Sequence, residues 1–199
     1  MAAARPELRV FSREPPRPAR VIPDAPLGMA IFIGVELMLF GGFISAHTIV
    51  SANYPPGAWP PPDQPRLPIE ATALTTLMLL ISGAALWRSG RQLASNPDGA
   101  RAMLTASLGL GGAFVGIQGF EWVRLITEGL TLQSSPFGSF FYVIVGAHAL
   151  HAVPALIVLG VMLARLRQGT LDPDTFTAAR MFWYFVVLVW PVLYATVYL

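Results

Sequence analysis

Two glutamates and three histidines stand within long apolar stretches, where an ionisable group costs several kcal/mol and is a candidate for function. Glu36 lies in Gly34-Val35-Glu36-Leu37-Met38-Leu39-Phe40, with no basic residue one helical turn away. Such a carboxyl suits a hydrogen bond across helices, a lipid headgroup contact or a proton path; it equally suits a purely structural interhelical bond. Glu121 lies in Gln118-Gly119-Phe120-Glu121-Trp122, and its i, i+3 spacing puts it on one helix face with Gln118. His148 and His151, in Gly146-Ala147-His148-Ala149-Leu150-His151, likewise share a face. His47 is the remaining histidine. Haem ligation by two histidines needs rings on facing helices, but His148 and His151 sit on the same one. His47 lies nearer the end of its stretch. A di-metal helix bundle would need Glu-x-x-His on two helices, and the chain has none. Cysteine is absent, which excludes disulfides, thiolate metal sites and thiol redox chemistry. The imidazoles are therefore read as interhelical hydrogen-bonding groups, with no metal and no catalytic residue in the chain. The bundle that holds them is expected to be dry and free of cofactor.

The elements that must position these groups are five apolar runs, approximately 27–50, 67–87, 102–125, 138–163 and 178–199. Each has about 20 or more mostly apolar residues, enough to cross a hydrocarbon core as an α-helix. Strict alternation is missing, so barrel strands are excluded. The expected fold is an all-α integral membrane protein, a bundle of five transmembrane helices. All 13 basic residues are arginine. Alternate threading places Arg5, Arg9, Arg13, Arg17, Arg20, Arg88, Arg91, Arg101, Arg165, Arg167 and Arg180 on one side, with Arg66 and Arg124 opposite. The positive-inside rule then makes the N-terminus cytoplasmic and the C-terminus outside. With 54% hydrophobic and 12% charged residues in 199, no soluble domain of useful size remains. The basic balance reflects topology and anionic headgroups; no basic patch interleaved with aromatics points to nucleic acid.

Residues 1–26 form an Arg- and Pro-rich arm, expected to be a disordered topogenic tail or to lie along a partner's cytoplasmic face; 27–199 form the membrane domain. The first connection, Tyr54-Pro55-Pro56-Gly57-Ala58-Trp59-Pro60-Pro61-Pro62, predicts a stiff polyproline-like path with Trp59 as an interfacial anchor. Ser95-Asn96-Pro97-Asp98-Gly99 reads as a turn, and Asp174 or Thr175 as the cap of the last helix. Gly41-Gly42, Gly109-Gly111-Gly112 and Gly146 read as close-packing faces.

In order, these features resemble subunit III of the haem–copper oxidases, in its short five-helix bacterial form, across 27–198. Glu36 with its Leu-Met-Leu-Phe resembles that family's Ser-Glu-x-x-Phe-Phe run, and Trp59-Pro60-Pro61 its outer Trp-Pro-Pro loop. Pro68-Ile69-Glu70, with Leu74-Thr75-Thr76 and Leu80-Ile81-Ser82-Gly83, is similar to the stretch ending Asn-Thr…Leu-x-Ser-Gly. Gln118-x-x-Glu121-Trp122 matches Gln-x-x-Glu-Tyr. Phe137-Gly138-Ser139-Phe140-Phe141 and Gly146-x-His148-x-x-His151 match Tyr-Gly-Ser-x-Phe-Phe…Gly-x-His-Gly-x-His. Phe182-Trp183-Tyr184-Phe185-Val186-Val187-Leu188-Val189-Trp190 resembles Tyr-Trp-His-Phe-Val-Asp-Val-Val-Trp. In that last motif Tyr184 stands for the family's His and Val187 for its Asp. Val35 replaces the Ser before the first-helix acid, and Ala149 the Gly between the histidines. Loss of the His and Asp together is the removal of a polar pair as a unit.

The resemblance implies a non-redox accessory subunit of a respiratory cytochrome c oxidase in a bacterial cytoplasmic membrane. Its main contact would be subunit I, with subunit II and small or supercomplex subunits as further neighbours. Haem and copper are expected in those partners, and phospholipid bound to this chain in a V-shaped cleft. The subunit would protect subunit I from turnover inactivation and support proton uptake. On this reading Glu36, Gln118, Glu121, His148 and His151 form or tune an intramembrane polar network, while Trp59 and Glu70 shape the outer end. Two alternatives stay open. One is a subunit III-like protein of a quinol oxidase, nitric-oxide reductase or supercomplex. The other is a small proton-coupled transporter, against which stands the lack of paired Gly/Pro-broken helices. A membrane oxidoreductase in its own right would be separated from these by metal analysis of the pure chain.

Overall fold

The computed structural model describes residues 23–199. The expected arm lies almost wholly outside the described residues. Five helices run in order: α1 (Asp24–Ala52), α2 (Ile69–Gln92), α3 (Pro97–Thr127), α4 (Pro136–Gln168) and α5 (Pro173–Tyr198). All are long and apolar enough to cross a membrane. This is a multi-pass, all-helical membrane protein. Most helices outrun the apolar stretches that announced them, because their ends are set by caps and not by hydropathy. Asn96, Ser135 and Asp172 each precede a proline at the first helical position and accept a backbone N–H three residues on, at 3.0, 3.0 and 2.8 Å. The cap of α5 is therefore Asp172, not Asp174 or Thr175: Pro173 has the fixed φ of a first helical residue and starts the helix earlier. Gly169, at φ 70, closes α4 in the left-handed conformation that glycine adopts without steric cost.

Helix α5 is the hub, packing on α1, α2 and α4, while α2 and α3 form the most intimate pair. Its buried face carries Phe182, Trp183, Val186, Val187, Trp190 and Leu193. Hydrogen bonds between side chains are prominent in this seam, as expected where no water satisfies polar groups. Trp183 donates its indole N–H to Ser82 at 3.1 Å, and Trp190 donates to Thr76 at 2.8 Å. Ser82 and Ser89 in turn donate to the α3 carbonyls of Ser107 and Ala100, at 2.9 and 2.8 Å. Only some of the small residues serve close approach. A Cβ on Gly111 would lie 2.6 Å from the Trp183 ring, and one on Gly90 would collide with the Arg180 guanidinium. Gly41, Gly42, Gly109 and Gly112 face open space, which corrects their reading as packing faces. Gly42, Gly109 and Gly112 lie on sides that no neighbouring helix covers, and Gly41 borders a groove between α1 and α5.

The first connection is a chain of turns, not a polyproline path. Ala58 N–H bonds to Pro55 O at 3.0 Å across Pro56-Gly57, with Gly57 at φ 79, as a type II turn requires. A second turn bonds Gln64 N–H to Pro61 O at 3.0 Å. This folding brings Trp59 back onto His47 and Phe137, with ring centres 5.5 and 5.6 Å apart. Trp59 is thus half-buried at the bundle's end, packed on the rings of His47 and Phe137. Ser134 donates to Gln64 at 3.0 Å, and Tyr194 to the Ile69 carbonyl at 3.1 Å. The first and third connections and the end of α5 therefore share one end of the molecule. Arg88, Arg91, Arg101, Arg165, Arg167 and Arg180 gather near the other.

Candidate functional site

Glu36 and His151 meet where α1 crosses α4. Glu36 Oε2 lies 3.0 Å from His151 Nε2, and both side chains are largely buried. The oxygen is close but not in line for a directed hydrogen bond. On its other side the ring bonds through Nδ1 to the Ala147 carbonyl at 2.7 Å. A carbonyl can only accept, so Nδ1 carries a proton and Nε2 is the atom left to face the acid. The arrangement sets a carboxyl oxygen against the ring nitrogen that is free to take a proton. Phe32, Phe40, Phe182 and Phe185 surround the imidazole with ring centres 5.5–6.3 Å away. Sequence reading found Glu36 without a basic neighbour on its own helix; its neighbour comes from α4, far along the chain.

Beside this pair runs an apolar groove of about 480 Å³ between α1 and α5, lined among others by Leu37, Phe40, Gly41, Tyr184, Leu188 and Val192. Helix α1 turns Ile31, Val35 and Met38 outward, Met38 at 79% exposure. Such a surface belongs in lipid or against another membrane protein. Tyr184 and Val187, the two positions that depart from the resembled family, look in different directions. Tyr184 lines the groove, whereas Val187 is buried against Gly83, whose added Cβ would meet it at 3.0 Å.

His148 does not join His151. The two residues are about 60° apart around their helix, and the neighbours divide them. His148 is 2% exposed and packs on Trp190 and Phe114, with ring centres 4.8 and 6.3 Å away. The shared face expected of them is thus split between two sites. Gln118 is buried and donates to Thr75 at 2.9 Å, tying α3 to α2. Glu121, one turn on, is only half-buried, within electrostatic reach of Arg124 and Tyr198. Glu70 is exposed in the first turn of α2. His47 packs at the proline-loop end on Trp59 and Phe140. Among the described residues no group of three or more His, Asp or Glu side chains comes together to hold a metal ion.

Sequence reading missed the hydroxyl face of α2. Thr72, Thr75, Thr76, Ser82, Gly83 and Ser89 are all buried and recur at helical spacing along that segment. The recurrence was available as a signal: small polar residues on one face of a membrane helix mark a helix–helix seam.

Comparison with known proteins adds an independent line. The family model for cytochrome c oxidase subunit III matches residues 19–199. A probable cytochrome c oxidase subunit 3 of Nocardia farcinica is 33% identical over 178 residues, 86% of each chain. A probable subunit 3 of Mycobacterium leprae is 33% identical over 177 residues, with the same coverage. Cytochrome c oxidase subunit 3 of Gallus gallus is 33% identical over 179 residues, 86% of this chain and 67% of that one.

Proposed function

This chain belongs to the cytochrome c oxidase subunit III family, so it is a subunit of an oxidase complex, and from that premise we propose that it acts as a non-redox brace and proton-handling flank of the catalytic subunit. Subunit I is its main partner, with subunit II and smaller subunits beyond, and haem and copper reside in those partners. The complex sits in a bacterial cytoplasmic membrane, with the arginine-rich end and the arm of residues 1–26 on the cytoplasmic side. Phospholipid fills the groove between α1 and α5.

The contact of Glu36 with His151 beside that groove carries this reading. With one proton between them, an acid and an imidazole at this helix crossing can pass it from one to the other with the pair net neutral, whereas uptake or release changes the pair by one unit of charge. Desolvated ion pairs are costly unless mutually compensated, so the pair also fixes α1 to α4. Names of the relatives favour cytochrome c as the electron donor over quinol.

The test compares the intact oxidase with the same complex stripped of this chain. Loss of the chain should leave the initial rate of oxygen reduction nearly intact, accelerate inactivation during turnover and slow proton uptake. An unchanged time course after quantitative removal would refute the proposal. So would haem bound to the purified chain itself, or proton-coupled solute uptake by liposomes containing the chain alone.

A further inference from the structure

A second cavity, of about 100 Å³, lies between α3, α4 and α5, on the side of α4 away from Glu36. Small residues make the room for it: Gly119 on α3 and Ala149 and Ala152 on α4. Most of its wall is apolar, yet three of the residues lining it carry buried polar atoms with no hydrogen-bond partner in the protein. These are Gln118 Oε1, Trp122 Nε1 and His148 Nε2. Gln118 and His148 are 7% and 2% exposed, so bulk water does not reach them freely.

Cavities that stay dry are lined by apolar groups alone, whereas cavities with several unmet polar groups hold ordered water. The donor and acceptor inventory here selects water over other occupants. Trp122 Nε1 only donates, the Gln118 carbonyl oxygen only accepts, and His148 Nε2 does either according to its tautomer. Water offers two donors and two acceptors and matches all three at once. An acyl chain matches none. The volume suits one to a few molecules, since a water occupies about 30 Å³ in the liquid.

We propose that this cavity is an internal water site, in which water bonded to Gln118, Trp122 and His148 links α3 to α4 within the membrane. This does not depend on the role given to Glu36. It replaces the dry bundle expected from sequence with one that has a single hydrated node. Through Gln118 the node continues to Thr75 on α2. It gives His148 a proton-exchanging neighbour although the imidazole is sealed from solvent.

The direct test is a cryo-EM map of the intact oxidase complex, at a resolution that resolves ordered water elsewhere in its membrane domain. Density within hydrogen-bond distance of at least two of the three atoms is expected. An empty cavity, an acyl chain or a partner's side chain in that space would overturn the proposal. Two filling substitutions from different helices, Ala149→Val and Val115→Leu, supply a test of sign. Expelling water from three polar groups should lower the melting temperature of the complex. Filling a dry cavity would raise it, and a rise with both variants would overturn the proposal as well.

Discussion

The indole of Trp190 on α5 donates to the hydroxyl of Thr76 on α2 at 2.8 Å, and that hydroxyl donates onward to the Thr72 carbonyl at 2.7 Å. The threonine thus serves as acceptor and donor together, and the tryptophan N–H is sealed against α2. One turn pair further along, Trp183 and Ser82 repeat the relationship. Two large rings, each with its polar atom satisfied by a small hydroxyl, set the register of α5 against α2.

Thr76→Val keeps the shape and removes the acceptor. In membrane bundles such interhelical bonds are worth about 0.6 kcal/mol on average and up to about 1.7 kcal/mol. Thr76→Val should lower the stability of the complex by an amount in that range, and Trp190→Phe by somewhat more through lost packing. A double-mutant cycle on thermal melts checks the assignment: the pair should be less damaging together than the sum of the singles. Strict additivity would mean that the bond contributes nothing.

The glycines predict a contrast. At Gly111 a methyl would press on the ring of Trp183 and on Leu156 at 2.6 and 2.8 Å. Gly111→Ala should therefore cost about 1–3 kcal/mol as overpacking. Gly112→Ala, one residue on and facing open space, should stay within about 0.5 kcal/mol of the parent. Melting of the two variants side by side decides it, and equal effects would contradict the packing described.

Asp172 predicts a pH dependence. The Thr175 hydroxyl and backbone N–H both donate to its carboxylate, which holds its pKa below the ordinary range, with Arg165 adding to the effect. A group whose pKa is lower in the folded chain stabilises it above the unfolded pKa, and that contribution fades as pH falls through the folded value. Asp172→Asn keeps a capping oxygen but lacks the charge. The parent should therefore melt above the variant at neutral pH, with the difference shrinking in acid. A difference that grows on acidification would reverse the assignment.

What could be read in the sequence, and what could not, divides along range. Five spanning helices were legible because hydropathy over a span is a local property. The stretch around Asn96-Pro97, however, reads as a turn and Ser135-Pro136 is not read as a helix start, although both cap one. At the last helix the same local chemistry misled, since several residues in Asp172-Pro173-Asp174-Thr175 could cap and only the φ restriction of Pro173 chooses between them. The partner of Glu36 was not legible, since nothing near it in the chain points to α4. Nor was the parting of His148 from His151: spacing puts them on one face, and only the placing of α3 beside the one and α1 beside the other gives them different neighbours. The path of the first connection was misjudged for a related reason. Proline runs read as stiff, but Gly57 lets the chain turn and bring the indole back to His47.

The contact of Glu36 with His151 predicts a non-additive pair. Replacing the histidine alone, as His151→Phe, leaves a largely buried carboxyl with no partner from α4, and such a rupture should cost up to about 3 kcal/mol. Replacing both, as Glu36→Leu with His151→Phe, removes the polar requirement together with its answer. The double variant should then recover much of the loss, because two apolar side chains in the cage of Phe32, Phe40, Phe182 and Phe185 need no partner. Proton handling should not recover with stability. The rate of proton uptake by the intact complex should stay depressed in the double variant and in Glu36→Gln alike. A double variant that restores stability and uptake together would show the pair to be only a clasp between α1 and α4. Depressed uptake with restored stability would separate the two roles, since packing alone cannot account for a defect that outlasts its repair.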